Sequence, residues 1–72
     1  MPPLPAITPA KLIRALQRAG FIFIRARGSH RIYVKGDKGF TIPFHNKDLR
    51  KGTLKQIILQ SGLTVEELVE LL

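Results

Sequence analysis

The sequence has no cysteine, so it carries no disulfide framework and no thiolate ligands for zinc. It also has no apolar run near the roughly 20 residues that a membrane-spanning helix requires, and we expect no membrane contact. The opening stretch MPPLPAITP lacks both the basic segment and the continuous apolar segment of a secretory signal. Together these absences predict a cytoplasmic protein.

Acidic residues are also scarce, with five Asp and Glu against 12 Lys and Arg and a formal net charge of +7. Three of the five acids lie in the last seven residues, so residues 11–55 are more basic than the total indicates. A positive field of this kind attracts polyanions, and nucleic acid is the first candidate because phosphates need only cationic and main-chain donors. A charged surface that merely keeps a small protein soluble would explain the same composition.

Three short segments are rich in aromatic and β-branched residues, which favour strands: residues 21–27, 30–35 and 40–44. Gly28-Ser29 and the GDKG stretch at 36–39 separate them as turns, so we predict a three-stranded antiparallel meander. In the second strand Ile32 and Val34 alternate with charged residues and Tyr33. This alternation predicts that Ile32 and Val34 face the helices.

Helices are predicted on both sides of the meander. Thr8 is placed as an N-cap and Pro9 as the first residue of a helix over 9–19. A second helix is predicted to begin at Thr53, with Gln56 as its capping-box partner, after an exposed loop with the sequence HNKDLRKG. The same capping pattern, formed by Thr64 and Glu67, predicts a short terminal helix that begins after Thr64.

The predicted element order is α-β-β-β-α with a short C-terminal helix. Helices before and after a meander are expected to cover one face of the three-stranded antiparallel sheet, which makes an α+β fold. Seventy-two residues have room for one core, and we interpret residues 1–72 as a single domain.

His30 follows a turn and has arginines on both sides of it in the sequence. Histidine is suited to proton transfer near neutral pH, and RNA offers a reaction that needs it. A general base can deprotonate the ribose 2′-OH, which attacks the adjacent phosphate while nearby cations stabilise the developing charge. This reaction gives the hypothesis that His30 is catalytic and that the residues around it contact the RNA backbone: Gly28, Ser29, Arg27 and Arg31. No metal or cofactor is required.

Structural roles compete with this hypothesis. If Ile32 and Val34 face the helices, strict alternation places His30 on the same covered face unless it lies at the rim. His45 is the only other histidine and would either assist His30 or hold the loop that follows. Lys51 could bind a phosphate together with free N–H groups at a helix start, although capping explains the adjacent Gly-Thr pair equally well. Two histidines 15 residues apart, with few acids nearby, form no recognisable metal set.

The stretches GFIFIRARGSHRIYV and GFTIPFHNKDLRKGTLKQIILQSGLTVEEL resemble the HicA family of small toxins, also described as YcfA-like proteins. The resemblance extends from Thr8 to Leu72, and KGTL-x-x-I-x-x-Q-x-GL is its most specific part. It implies a fold similar to double-stranded RNA-binding domains, and ribosome-independent cleavage of mRNA within a type II toxin–antitoxin module. It also implies His30 of the GSH motif as the catalytic residue and a HicB-type antitoxin that occludes the active site.

One position departs from the family, because Arg31 follows GSH where many relatives carry a second histidine or another residue. Arginine cannot transfer protons near neutral pH, so His30 would act alone or with His45. Three functions follow from these patterns: a metal-independent endoribonuclease, a non-catalytic RNA-binding module, and a basic protein-interaction partner.

Overall fold

The computed structural model describes residues 3–72, so the first two residues of MPPLPAITP lie outside it. The elements are α1 (Pro9–Arg18), β1 (Ile22–Arg27), β2 (His30–Lys35), β3 (Lys38–Pro43), α2 (Lys51–Ser61) and α3 (Val65–Leu71). The strands form one antiparallel sheet in the order β1-β2-β3. The predicted α+β fold is confirmed. Within the described residues, no helix has the length and apolarity needed to cross a bilayer.

The first helix begins and ends where its sequence pattern predicts. The Thr8 side chain accepts a hydrogen bond from the Lys11 N–H, and Pro9 occupies the first helical position. Ala19 caps the C-terminus, so α1 ends at Arg18, one residue before the predicted end. The buried face of α1 packs into the main core through four apolar side chains: Leu12, Ile13, Ala15 and Leu16.

Two glycines determine the turns of the meander. Gly28 and Gly36 both have a φ of 60°, and each is the first residue of a two-residue hairpin loop. Glycine at that position is the pattern of a type II′ turn, which matches the twist of the flanking strands. The second loop uses only Gly36 and Asp37, so β3 begins at Lys38, two residues before the predicted start.

The predicted orientation of β2 is wrong. Tyr33 is 2% exposed and lies in the core, whereas Ile32 and Val34 lie on the opposite face and are half-buried. The reason is on β3, where Phe40 is paired with Tyr33 and is itself buried. The rings of these two residues stack at 6.4 Å, and Phe21 packs on Phe40 at 4.8 Å. We call the side that carries Ile32 and Val34 the open face.

The second helix begins at Lys51 rather than Thr53, so the predicted capping box at Thr53 and Gln56 is wrong. Arg50 is the N-cap and provides no side-chain cap. Leu49 is buried, although the preceding loop was predicted to be exposed, and its N–H donates to the Ile7 carbonyl at 2.9 Å. This hydrogen bond holds the chain against the core, and the backbone hydrogen bonds of α2 begin directly after it, at the Arg50 carbonyl.

The buried face of α2 contains the three predicted residues Leu54, Ile57 and Ile58. At α3, the predicted capping box is confirmed, because the Thr64 and Glu67 side chains each accept the other residue's backbone N–H. Leu68, on α3, is fully buried. The C-terminal helix therefore contributes to the core.

Candidate functional site

His30 lies on the open face of the sheet, at the start of β2. It is paired with Arg27 of β1 on one side and with Pro43 of β3 on the other. Side chains directly opposite each other on antiparallel strands lie on the same face, with Cβ atoms about 4.5–5.5 Å apart. His30 is exposed, and among residues 3–72 no group is hydrogen-bonded to its imidazole. Both ring nitrogens are therefore accessible to a substrate.

A second arginine of β1, Arg25, also lies on this face. The register shifts between Phe23 and Arg25, which leaves Ile24 without a partner and pairs Arg25 with Ile32. Arg25 and Arg27 both lie on the face that carries His30. Arg25 is not among the RNA contacts predicted from the sequence. Two-residue alternation from Arg27 is the signal that could have included Arg25, and the bulge affects only the residues before it.

Gly28 and Ser29 form the exposed turn that leads into His30. The Ser29 carbonyl accepts a hydrogen bond from the Phe44 N–H at 2.7 Å, which extends the pairing of β2 with β3 past Pro43. The turn is therefore bonded to the segment after β3 as well as joined to β1 and β2 along the chain. This hydrogen bond holds the Ser29 backbone in place next to His30, the first residue of β2.

We expect Gly28→Ala to destabilise the protein by about 1–2 kcal/mol, because a left-handed φ is unfavourable for a residue with a Cβ. No atom lies within 4 Å of a Cβ added at this position, so the cost is conformational rather than steric. Gly52 is the matched control, because its added Cβ is equally free but its φ is not positive. Gly52→Ala lies in α2 and should stabilise by up to about 1 kcal/mol. Urea unfolding measures the free energy of unfolding of both variants. Equal shifts for the two would contradict the conformational role of Gly28 in the turn.

Arg31 lies on the opposite side of β2 from His30. It is paired with Ile42, a core residue, and its guanidinium lies 3.7 Å from the centroid of the Phe44 ring. This cation–π contact holds the side chain at the end of the sheet. The structure therefore brings Arg27 together with His30 but does not place Arg31 on the same face.

His45 has a local role in the loop after β3. Its Nδ1 accepts a hydrogen bond from the Lys47 N–H at 3.2 Å, so the neutral ring carries its proton on Nε2. From the sequence, His45 would either assist His30 or hold the loop, and this contact supports the second role. The two histidines thus differ in how many ring nitrogens are free.

Lys51 is the first residue of α2 and is exposed. The next two residues, Gly52 and Thr53, line a groove of about 730 Å³ whose other wall includes Ile32 and Thr41 of the open face. Lys51 is therefore at the end of α2 that lies next to this groove.

Residues 3–72 contain no group of three or more His, Asp or Glu side chains placed to share a metal ion, and we assign no metal ligand.

A comparison with known protein families gives a match over most of the chain. Residues 9–63, from the start of α1 to just beyond α2, match the model of the HicA toxin of bacterial toxin–antitoxin systems. No curated protein matches the chain. The family match includes the whole sheet, with the turn at Gly28 and His30, and it confirms the resemblance found in the sequence. This chain belongs to the HicA toxin family.

Proposed function

We propose that this toxin is a metal-independent endoribonuclease that cleaves mRNA in the cytoplasm with His30 as its general base. The observation that supports the proposal best is the exposed imidazole, which has both nitrogens free and Arg27 directly across the strand pair. A histidine with a structural role would be buried or bonded to its neighbours, as His45 is.

In the proposed reaction, a neutral His30 nitrogen takes the proton of a ribose 2′-OH. The 2′-oxygen attacks the adjacent phosphorus, and the bond to the 5′-oxygen of the next nucleotide breaks as that oxygen takes up a proton from water. The products are a 2′,3′-cyclic phosphate and a 5′-hydroxyl. Arg25 and Arg27 stabilise the charge that develops on the phosphoryl oxygens, because fixed cations beside the reacting group lower the barrier.

Gly28, Ser29 and Lys51 have supporting roles in this proposal. The exposed turn provides a hydroxyl and backbone groups beside the scissile phosphate, and Lys51 binds a phosphate farther along the strand. Arg31 contacts the RNA from the end of the sheet, where its guanidinium lies over Phe44. His45 holds the loop after β3 and does not transfer protons.

The decisive experiment is cleavage of a labelled single-stranded RNA by the purified protein in EDTA, beside the same strand made with 2′-deoxyribose. We expect cleavage of the RNA alone, with 2′,3′-cyclic phosphate ends, because the 2′-OH is the nucleophile. Cleavage of the deoxyribose strand, or an absolute requirement for a divalent metal, would contradict the mechanism. Binding without any cleavage would indicate the non-catalytic RNA-binding module instead.

The toxin's partner in a toxin–antitoxin module is an antitoxin, and we assign it to the HicB type, bound over His30. A partner placed there blocks RNA and neutralises the arginines of the open face. The same assay tests this assignment, because the bound antitoxin should suppress cleavage. Undiminished cleavage by a stable complex would argue against occlusion.

The two arginines of the open face should determine the salt dependence of RNA binding. For a 2′-O-methyl RNA strand, which cannot be cleaved, Arg25→Gln and Arg27→Gln should each weaken binding. Each should also reduce the slope of log K against log salt concentration by about 0.7, the value for one phosphate contact on a single strand. Arg14 is exposed on α1, away from the sheet's open face, and Arg14→Gln is the matched control that should leave the slope unchanged. Equal slopes for all three variants would place the RNA on another surface.

A further inference from the structure

The groove between the open face and α2 differs chemically from the phosphate-binding surface beside it. Ile32 and Thr41 line its sheet wall, and Thr53, Gln56 and Gln60 line its helix wall. None of the described residues that line it is charged. Another cavity, at α1, is lined by the cationic side chains of Lys11, Arg14 and Arg18. The groove has neutral hydrogen-bonding groups over an apolar wall instead.

The groove also lies next to the proposed catalytic residue. Ile32 is two residues beyond His30 on the same strand and the same face, a separation of about 7 Å along β2. Arg25 is paired with Ile32, so a cation borders the groove on the β1 side. A single strand with its backbone along Arg25 and Arg27 can therefore direct one of its bases into the groove.

We infer that the groove binds an unstacked nucleobase next to the scissile phosphate, and that Gln56 selects adenine there. Proteins that recognise single-stranded RNA pack the faces of unpaired bases against side chains and read the base edges by hydrogen bonds. The glutamine amide combines a donor and an acceptor, which match the N6 amino group and N7 of adenine. Gln56 is exposed and its amide is not bonded within residues 3–72, so it is free to make this pair.

Gln60, one helical turn after Gln56, lies on the same side of α2 and extends the polar wall. On the opposite wall Ile32 provides an apolar surface for the face of the base, and Gly39 leaves the sheet wall without a side chain at its position. This arrangement would determine where the toxin cuts. The inference rests on the proposed function only in naming the base as a neighbour of the cleaved bond.

The test uses four short 2′-O-methyl RNA strands of uracil that differ in one central base, titrated into the folded protein and followed by backbone amide NMR. We expect the amides of Gly39 and Gly52 to shift, and the strand with adenine to bind about tenfold more tightly than the others. Gln56→Leu should reduce this preference to less than about twofold. Gln17→Leu, an exposed glutamine on α1, is the matched control and should keep the full preference.

Shifts confined to other surfaces, or an adenine preference that survives Gln56→Leu, would overturn the inference. Because these strands cannot be cleaved, their binding is independent of whether the protein is a ribonuclease, and the two proposals can fail separately. Sequencing of cleavage ends adds a second readout on natural RNA. Gln56→Leu should broaden the set of cleavage sites, whereas an unchanged set of sites would count against Gln56.

Discussion

His30→Ala is expected to lower the rate of RNA cleavage by about 10²- to 10⁴-fold, the usual contribution of a positioned general base. The loss should appear in the rate constant measured at saturating RNA. Binding should change little, because Arg25 and Arg27 remain on the open face. The measurement is single-turnover cleavage of a labelled RNA in EDTA, beside the affinity for the uncleavable 2′-O-methyl strand.

Two controls separate catalysis from folding in this experiment. His30 is exposed and makes no side-chain hydrogen bond within the described residues, so its replacement should change the free energy of unfolding by less than about 0.5 kcal/mol. His45→Ala removes the other histidine and should reduce the rate less than tenfold, because the Nδ1 of His45 is bonded in its own loop. Equal losses for the two variants would mean that both histidines transfer protons.

The strand order of this fold follows from local sequence, but the orientation of the sheet does not. Turn glycines and β-rich segments are short-range signals, and they predict the meander within a few residues. In β2, however, both faces contain apolar side chains, Tyr33 on one and Ile32 with Val34 on the other. The face that is buried is decided by Phe40 and Phe21, which are distant in sequence and pack on each other. Alternation alone carries no information about that choice.

The same distinction explains what was predictable about the site. The sequence placed His30 after a glycine turn among arginines, and the structure places Arg27 directly opposite it. Arg25 lies on that face because it is two residues before Arg27 on β1, and Arg31 lies on the opposite face because it is next to His30 on β2. The groove could not be predicted, since its walls come from β3 and from a helix that begins two residues earlier than its capping pattern indicated. Local alternation thus separates Arg31 from the two arginines beside His30, whereas long-range packing decides the groove.

Leu54 lies on the buried side of α2, and its replacement by alanine is expected to lower stability strongly. Leu54 is 1% exposed, and its replacement by alanine removes buried methyl groups and leaves a cavity. Substitutions of this kind cost about 2–5 kcal/mol. A chain of this length is expected to have a total stability of about 4–11 kcal/mol. Leu54→Ala should therefore lose a large fraction of it, measured as a lower urea midpoint.

Leu59 provides an unusually close control, because it lies on the same helix and undergoes the same change while being 73% exposed. The helix propensities of leucine and alanine enter both variants equally, so the difference between them isolates burial. Leu59→Ala should shift the free energy of unfolding by less than about 0.5 kcal/mol. Similar losses for the two variants would show that the face of α2 carrying Leu59 is covered in solution, and that Leu54 is not the residue that attaches this helix to the sheet.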